Sequence, residues 1–229
     1  NFILMNKASI KNLLSQDPST EPTVSARGWV RSLRKSKTIA FIAINDGSCQ
    51  QDLQLVCGQE LLSSPALQAV STGASIEAHG ILKNSQGGKQ KVEIAASSIN
   101  VLGTVTPSYP LQKKGHSLEF LREISHLRGR TNTFGAVFRL RHALSFAVHK
   151  FFNEKGFLCA HTPILTAADC EGAGELFRVS SSYDSKTKSA EDSFFGKQAY
   201  LTVSGQLQAE MLALSQSKVY TFGPTFRAE

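Results

Sequence analysis

Between residues 23 and 103 apolar and polar positions alternate with a period of two, the pattern of strands that bury one face. Residues 23–30 alternate as far as a basic stretch that reads as a turn. Residues 38–44 form a β-branched and aromatic run that ends at Asn45-Asp46-Gly47, a turn signal. Residues 53–57 alternate again. Leu61, Leu62, Leu67 and Val70 have the spacing of a short helix, broken near its start by Pro65. Residues 76–82 and 91–101 predict a hairpin around the polar, glycine-bearing stretch 84–88.

Three strands, a small helix and two more strands, in that order, match a five-stranded OB-type barrel, whose open face commonly meets nucleic acid. Pro107 and Pro110 then mark a linker, and beyond it the period changes. Phe134, Val137, Phe138, Leu144, Val148 and Phe151 recur at helical spacing, predicting an amphipathic helix over 132–154 that Gly156 ends. Thr162-Pro163 stops the extended piece that follows. Residues 180–193 are polar and lysine-bearing, as in a surface loop. A strand at 200–203, a helix at 206–217 and a strand at 219–222 complete the pattern. The expected fold class is therefore α+β with more than one domain: an N-terminal segment (1–22), an OB-fold barrel (23–103), a linker or hinge (104–131) and an α+β domain (132–229).

Charge sharpens this picture. The formal net charge is +7, which favours a polyanionic partner. Arg27, Arg31, Arg34, Lys35 and Lys37 crowd one stretch with no acid between them, as a nucleic-acid face or as a solvated surface. No apolar run approaches the ~18 residues that span a bilayer. Cys49, Cys57, Cys159 and Cys170 have neither CxxC nor zinc-like spacing and read as reduced thiols. The chain starts at Asn1, which need not be a native start, and no secretory signal is visible.

The common catalytic signatures are missing. Gly87-Gly88-Lys89 lacks the spacing of a Walker A loop, and Gly172-Ala173-Gly174 is a lone GxG. His142 and His149 fall on the long helix, where packing or solvent-facing roles are the ordinary ones. What stands out is a set of segments in fixed order. They are the run from Gly156 to Leu165 containing Thr162-Pro163, then Glu171-Gly172-Ala173-Gly174-Glu175-Leu176-Phe177, then Phe194-Phe195-Gly196. Leu201-Thr202-Val203-Ser204-Gly205-Gln206-Leu207 with Glu210 follows, and last comes the run from Tyr220 to Phe226-Arg227-Ala228-Glu229.

In this order, behind a barrel, the segments resemble the class IIb aminoacyl-tRNA synthetases, and within them the asparaginyl rather than the aspartyl or lysyl branch. The resemblance runs from about Thr23 to Glu229. It implies an OB-fold anticodon-binding domain followed by part of the class II antiparallel-sheet catalytic domain, ending within the second class motif. The implied activity joins asparagine to its tRNA through asparaginyl-adenylate, with ATP and Mg2+ as cofactors. The implied partners are tRNA(Asn), asparagine, ATP and a second copy of the chain, in the cytoplasm or an organelle matrix. A catalytically inactive tRNA-binding or dimerisation module, or a relaxed-specificity aspartyl enzyme, would use the same parts.

Site roles follow from the same resemblance. Phe41 would stack on the middle anticodon base, Gln54 would read a base edge, and Arg34 would lie beside them. From alternation alone, Phe41 fits core packing equally well. Arg227 would hold the α-phosphate and the amino-acid carboxylate together, as a permanently charged planar fork can. Glu229 would lie toward the adenine. Glu171 would accept from the substrate ammonium, Gln206 would orient the substrate, and Pro163 would mark the dimer interface. As bare residues Glu171 and Gln206 are ordinary polar loop groups. Glu210 would pair with the asparagine amide and repel aspartate. The metal ligands and the third class motif would lie beyond Glu229, so the 229 residues alone are expected to be inactive.

Overall fold

The structure is a computed structural model that describes residues 8–87, 90–168, 176–180 and 194–228. Two compact units make up the chain, residues 1–140 and 141–229, with the boundary inside one helix.

In the first unit, helix α1 (Ile10–Ser15) precedes strands β1 (Thr23–Lys35), β2 (Ala40–Asn45) and β3 (Leu53–Cys57). Short helices α2 (Gln59–Leu62) and α3 (Pro65–Ala69) lead to β4 (Ser75–Asn84) and β5 (Val92–Gly103). The strands close as β1-β2-β3-β5-β4, with the parallel β3–β5 pair completing a ring of otherwise antiparallel neighbours. Alternation makes this possible. Ile42, Ile44, Leu53, Leu55, Cys57, Ile76, Leu82, Val92 and Ile94 all point inward and are fully buried. Ile10 and Leu13 of α1 and Leu67 of α3 join the same core. Pro65 does not break a helix: it opens α3 as its first residue, and Ser64 caps it by accepting from the Leu67 amide. At Gly80 the β4–β5 register shifts, and a Cβ there would run into the Ala95 carbonyl, so only glycine lets the two strands approach.

One element departs from expectation. The basic stretch read as a turn is strand: β1 runs on through Arg31, Arg34 and Lys35. It pairs with β4 over its first half and β2 over its second, across a bulge between Val30 and Ser32. A long coiled strand shared by two neighbours closes a small barrel, and its outward positions tolerate charge.

After β5 the chain carries no regular structure until helix α4 (Leu118–Glu123), then a 3-10 turn (Arg128–Arg130) and helix α5 (Asn132–Glu154). The Thr131 hydroxyl starts α5 by accepting from the Phe134 amide. α5 has the amphipathic pattern read from sequence, but none of its residues is buried by the described chain.

In the second unit β6 (Leu158–Cys159) pairs in parallel with β10 (Val219–Tyr220). β9 (Ala199–Leu201) sits between β7 (Leu165–Thr166) and β8 (Arg178–Val179), and helix α6 (Gln206–Gln216) precedes β10. The Tyr220 ring stacks on Phe152, 4.4 Å between centroids, while its hydroxyl lies 2.6 Å from His149 Nδ1. Cys49, Cys57 and Cys159 are free thiols, and burial pushes Cys57 up to about 11. Cys170 and the polar stretch 181–193 lie outside the described residues. No helix among the described residues is long and apolar enough to cross a membrane.

Candidate functional site

Strand register assembles the first candidate face. Arg34 pairs with Phe41, Phe41 with Val56 and Val56 with Ala95, forming one outward row across four strands. The adjacent row is Ser32, Ala43, Gln54 and Glu93. Directly paired residues share a face, so Arg34, Phe41 and Gln54 stand together on the outside of the barrel. Phe41 is half-buried between the fully buried Ala40 and Ile42, and therefore belongs to the outer surface rather than the core. The Arg34 guanidinium lies 5.6 Å from its ring centroid. Gln54 Nε2 donates to Glu93 Oε2 at 3.0 Å, and the Ser85 hydroxyl donates to the same oxygen at 2.8 Å.

Glu93 was not singled out from sequence. Its outward position was legible in the alternation around it, but its proximity to Gln54 depends on strands 39 residues apart.

The basic cluster, continuous in sequence, divides in space. Arg27 Nε donates to Glu77 at 2.6 Å. Arg31 donates to the Asn132 side chain at 2.9 Å and approaches Asp52 at 3.9 Å. Lys35 donates to the Leu67 carbonyl at 3.0 Å. Only Arg34 of these four lies against the aromatic ring.

A polar loop follows the Phe41 strand. Burial pushes the Asp52 carboxyl above its ordinary value, against the opposing pull of Arg31 and Asn45. For Asp46 burial acts in the same direction, but hydrogen bonds from the Ser48 hydroxyl and the Ile10 and Ser48 amides outweigh it and hold the carboxyl low.

The second candidate site lies in unit two. The Thr202 amide donates to Ile164 O at 2.8 Å, and the Phe226 amide donates to Thr202 O at 2.9 Å. This places the segment that begins α6 between the Thr162-Pro163-Ile164 run and the residue preceding Arg227. Gly205 is packed against Thr162, and a Cβ there would overlap the threonine side chain. Gln206 Nε2 donates to Glu210 Oε1 at 2.8 Å, one helical turn on. Pro163, Gln206, Glu210 and Arg227 are all exposed. Glu171 and Glu229 lie outside the described residues. Among the described residues no group of three His, Cys, Asp or Glu side chains stands close enough to hold a metal.

Comparison with known proteins matches residues 117–229 to the family described as tRNA synthetases class II (D, K and N). Residues 24–102 match the OB-fold nucleic acid binding domain. An asparagine–tRNA ligase of Parabacteroides distasonis is 53% identical over 98% of this chain and 50% of its own length. One of Microcystis aeruginosa is 53% identical over 93% of the chain and 47% of its own length. The chain thus spans about half the length of the curated relatives it matches. Among solved structures, asparaginyl-tRNA synthetase from Pyrococcus horikoshii complexed with asparaginyl-adenylate superposes with a TM-score of 0.82 at 23% identity. It covers 99% of this chain and 49% of that one. The Entamoeba histolytica asparaginyl-tRNA synthetase gives 0.75 at 23% identity, covering 91% and 46%. At that identity the structural likeness establishes the fold.

Proposed function

The chain belongs to the class II tRNA synthetases of the D, K and N group, and on that premise we propose that it is part of an asparagine–tRNA ligase. The observation that carries the reading is the 53% identity to such a ligase along 98% of the chain, through barrel and second unit alike. The proposed reaction joins the asparagine carboxylate to the α-phosphate of ATP, releasing pyrophosphate, and then passes the asparaginyl group to tRNA(Asn), releasing AMP.

The chemistry suits the residues present. A substrate carboxylate is already a nucleophile, so the first step calls for positioning and charge neutralisation rather than a general base. Arg227 is assigned to the α-phosphate and the substrate carboxylate, and its exposed guanidinium can fork between two anions. Gln206 and Glu210, hydrogen-bonded to each other, are assigned to the substrate side chain. Glu171 and Glu229 complete the proposed set, toward the ammonium and the adenine. Magnesium is expected to accompany ATP in this family, and among the described residues no cluster of His, Cys, Asp or Glu side chains fits it.

On the barrel, Phe41 and Arg34 offer a stacking platform, and Gln54 beside Glu93 offers base-edge contacts. The proposed assembly is a homodimer through the Pro163 region, and the proposed compartment is the cytoplasm, as bacterial relatives suggest, or an organelle matrix.

The test is charging by the complete protein. Asparagine-dependent ATP–pyrophosphate exchange and transfer to tRNA(Asn) are expected. Exchange driven by aspartate in preference to asparagine would refute the reading.

A further inference from the structure

A cavity of about 780 Å³ opens on the outside of the barrel, and every residue that lines it belongs to the first unit. Its walls come from Trp29 of β1, the β2–β3 loop, the run 109–116 after β5, and the stretch 129–139 that includes the start of α5.

Specific contacts hold these walls in place. The Tyr109 ring packs on Gly73, where a Cβ would overlap it, and Arg130 Nη1 donates to the Tyr109 hydroxyl at 3.4 Å. The Arg130 guanidinium also lies over Trp29, 4.5 Å from the ring centroid. At the β2–β3 loop, Gln50 Nε2 donates to the Asn132 main-chain oxygen at 2.7 Å, and Arg139 Nη2 donates to the Gly47 carbonyl at 2.7 Å. The cavity is therefore formed by the protein's own bonds, as ligand pockets generally are.

Its chemistry is basic and partly aromatic. Arg31, Lys113, Lys114, Arg130 and Arg139 line it against a single acid among the described lining residues, Asp52, which already lies 3.9 Å from Arg31. The ammonium groups of Lys113 and Lys114 make no hydrogen bond or ion pair among the described residues. Arg139 uses one N–H on Gly47, and a guanidinium has five. An excess of unneutralised cation in a concave site concentrates anions. Trp29 remains 38% exposed, and an indole face or a guanidinium plane gives a nucleobase a stacking surface. The volume is that of a small-molecule pocket, whereas a single strand needs a groove that tracks its backbone.

We propose that this cavity binds a free nucleoside polyphosphate, with the base against Trp29 and Arg130 and the phosphates at Lys113, Lys114 and Arg139. The cations are more numerous than one phosphate group would need, and the aromatic ring gives a base a place that an inorganic anion would leave empty. The proposal stands apart from the ligase reading, since it uses none of the residues assigned to the reaction.

The test uses the complete protein and ATP as the probe. Binding is measured by equilibrium dialysis with labelled ATP, and its place is read by peptide mapping after photolabelling with 8-azido-ATP. Protein carrying Arg227→Ala, which removes the phosphate contact assigned above, is expected still to bind ATP and to take the label within residues 29–31 or 109–139. In that background Lys113→Ala with Lys114→Ala, and separately Trp29→Ala, are each expected to weaken this binding about tenfold. The lysine pair is exposed, so its variant keeps the test open should Trp29→Ala fail to fold. Absence of label from these stretches would overturn the proposal. So would inorganic triphosphate competing as well as ATP, which would make the cavity a mere anion patch. Label that tRNA displaces, with tRNA affinity falling about tenfold in the lysine variant, would give the cavity to RNA and overturn it equally. Label in the cavity of a protein that shows no asparagine-dependent exchange as wild type would sink the ligase reading and leave this proposal standing.

Discussion

Gln54 on β3 and Glu93 on β5 face each other across the only parallel strand pair of the barrel, with 3.0 Å between Nε2 and Oε2. The bond holds the Gln54 side-chain amide by its nitrogen, and its carbonyl oxygen is the acceptor in the proposed base-edge contact. Glu93→Ala is therefore expected to weaken anticodon stem–loop binding about tenfold, the scale of an orienting bond to a charged group. A stem–loop titration checks it, and unchanged affinity would make the pair a barrel strut.

Phe41 and Arg34 give a second measurable outcome. Phe41→Ala is expected to cost ~1–3 kcal/mol of stem–loop binding if the ring stacks on a base. Binding should also weaken steeply with added salt. A folded Phe41→Ala protein that binds as tightly as wild type would make the ring a spectator.

Glu210 is where asparagine and aspartate would be told apart. The two substrates have nearly the same size, so the site must read an amide against a carboxylate. Groups built to pair with a polar substrate atom can discriminate by ~10⁴-fold. In the complete enzyme Glu210→Gln is expected to lower kcat/KM for asparagine sharply, to shrink the discrimination against aspartate, and to leave ATP binding nearly unchanged. Normal asparagine activation with aspartate still excluded would remove Glu210 from this role.

The two carboxylates of the β2–β3 loop should titrate with opposite consequences. Asp46 is held low, so it contributes stability that is present above the ordinary carboxylate range and is lost as pH falls through its own depressed value. Asp52 is raised by burial, so the folded state holds its proton more tightly, and stability falls as pH rises from the ordinary carboxylate range through its own higher value. In thermal melts from pH 3 to 7, Asp46→Asn should lose most against wild type at pH 7. Asp52→Asn should lose more at pH 4 than at pH 7. The reverse order would contradict these assignments.

What the sequence made legible follows from how local each signal was. The five barrel strands and both long helices announced themselves through period, because burial of alternate or every third-to-fourth residue is written into neighbouring positions. α5 begins and ends where its spacing placed it, at Asn132 and Glu154. The errors and omissions were non-local. Arg31 and Lys35 read as a turn because charge masked the strand, and only the pairing of β1 with both β2 and β4 makes strand of them. Glu93 was passed over because the β3–β5 contact depends on chain closure. The placement of Phe41, Gln54 and Arg34 on one face was suggested by resemblance, and the geometry brings them together.

The closure of the barrel also has a consequence for its birth on the ribosome. Until β4 and β5 have been synthesised, the β1-β2-β3 meander has two bare flanks, one on β1 and one on β3. The β4–β5 hairpin covers both at once, β4 against β1 and β5 against β3. Nascent chains stalled before Gly103 should therefore remain open to proteases and chaperones. Those stalled far enough beyond it to free the hairpin from the exit tunnel should become protected in a single step.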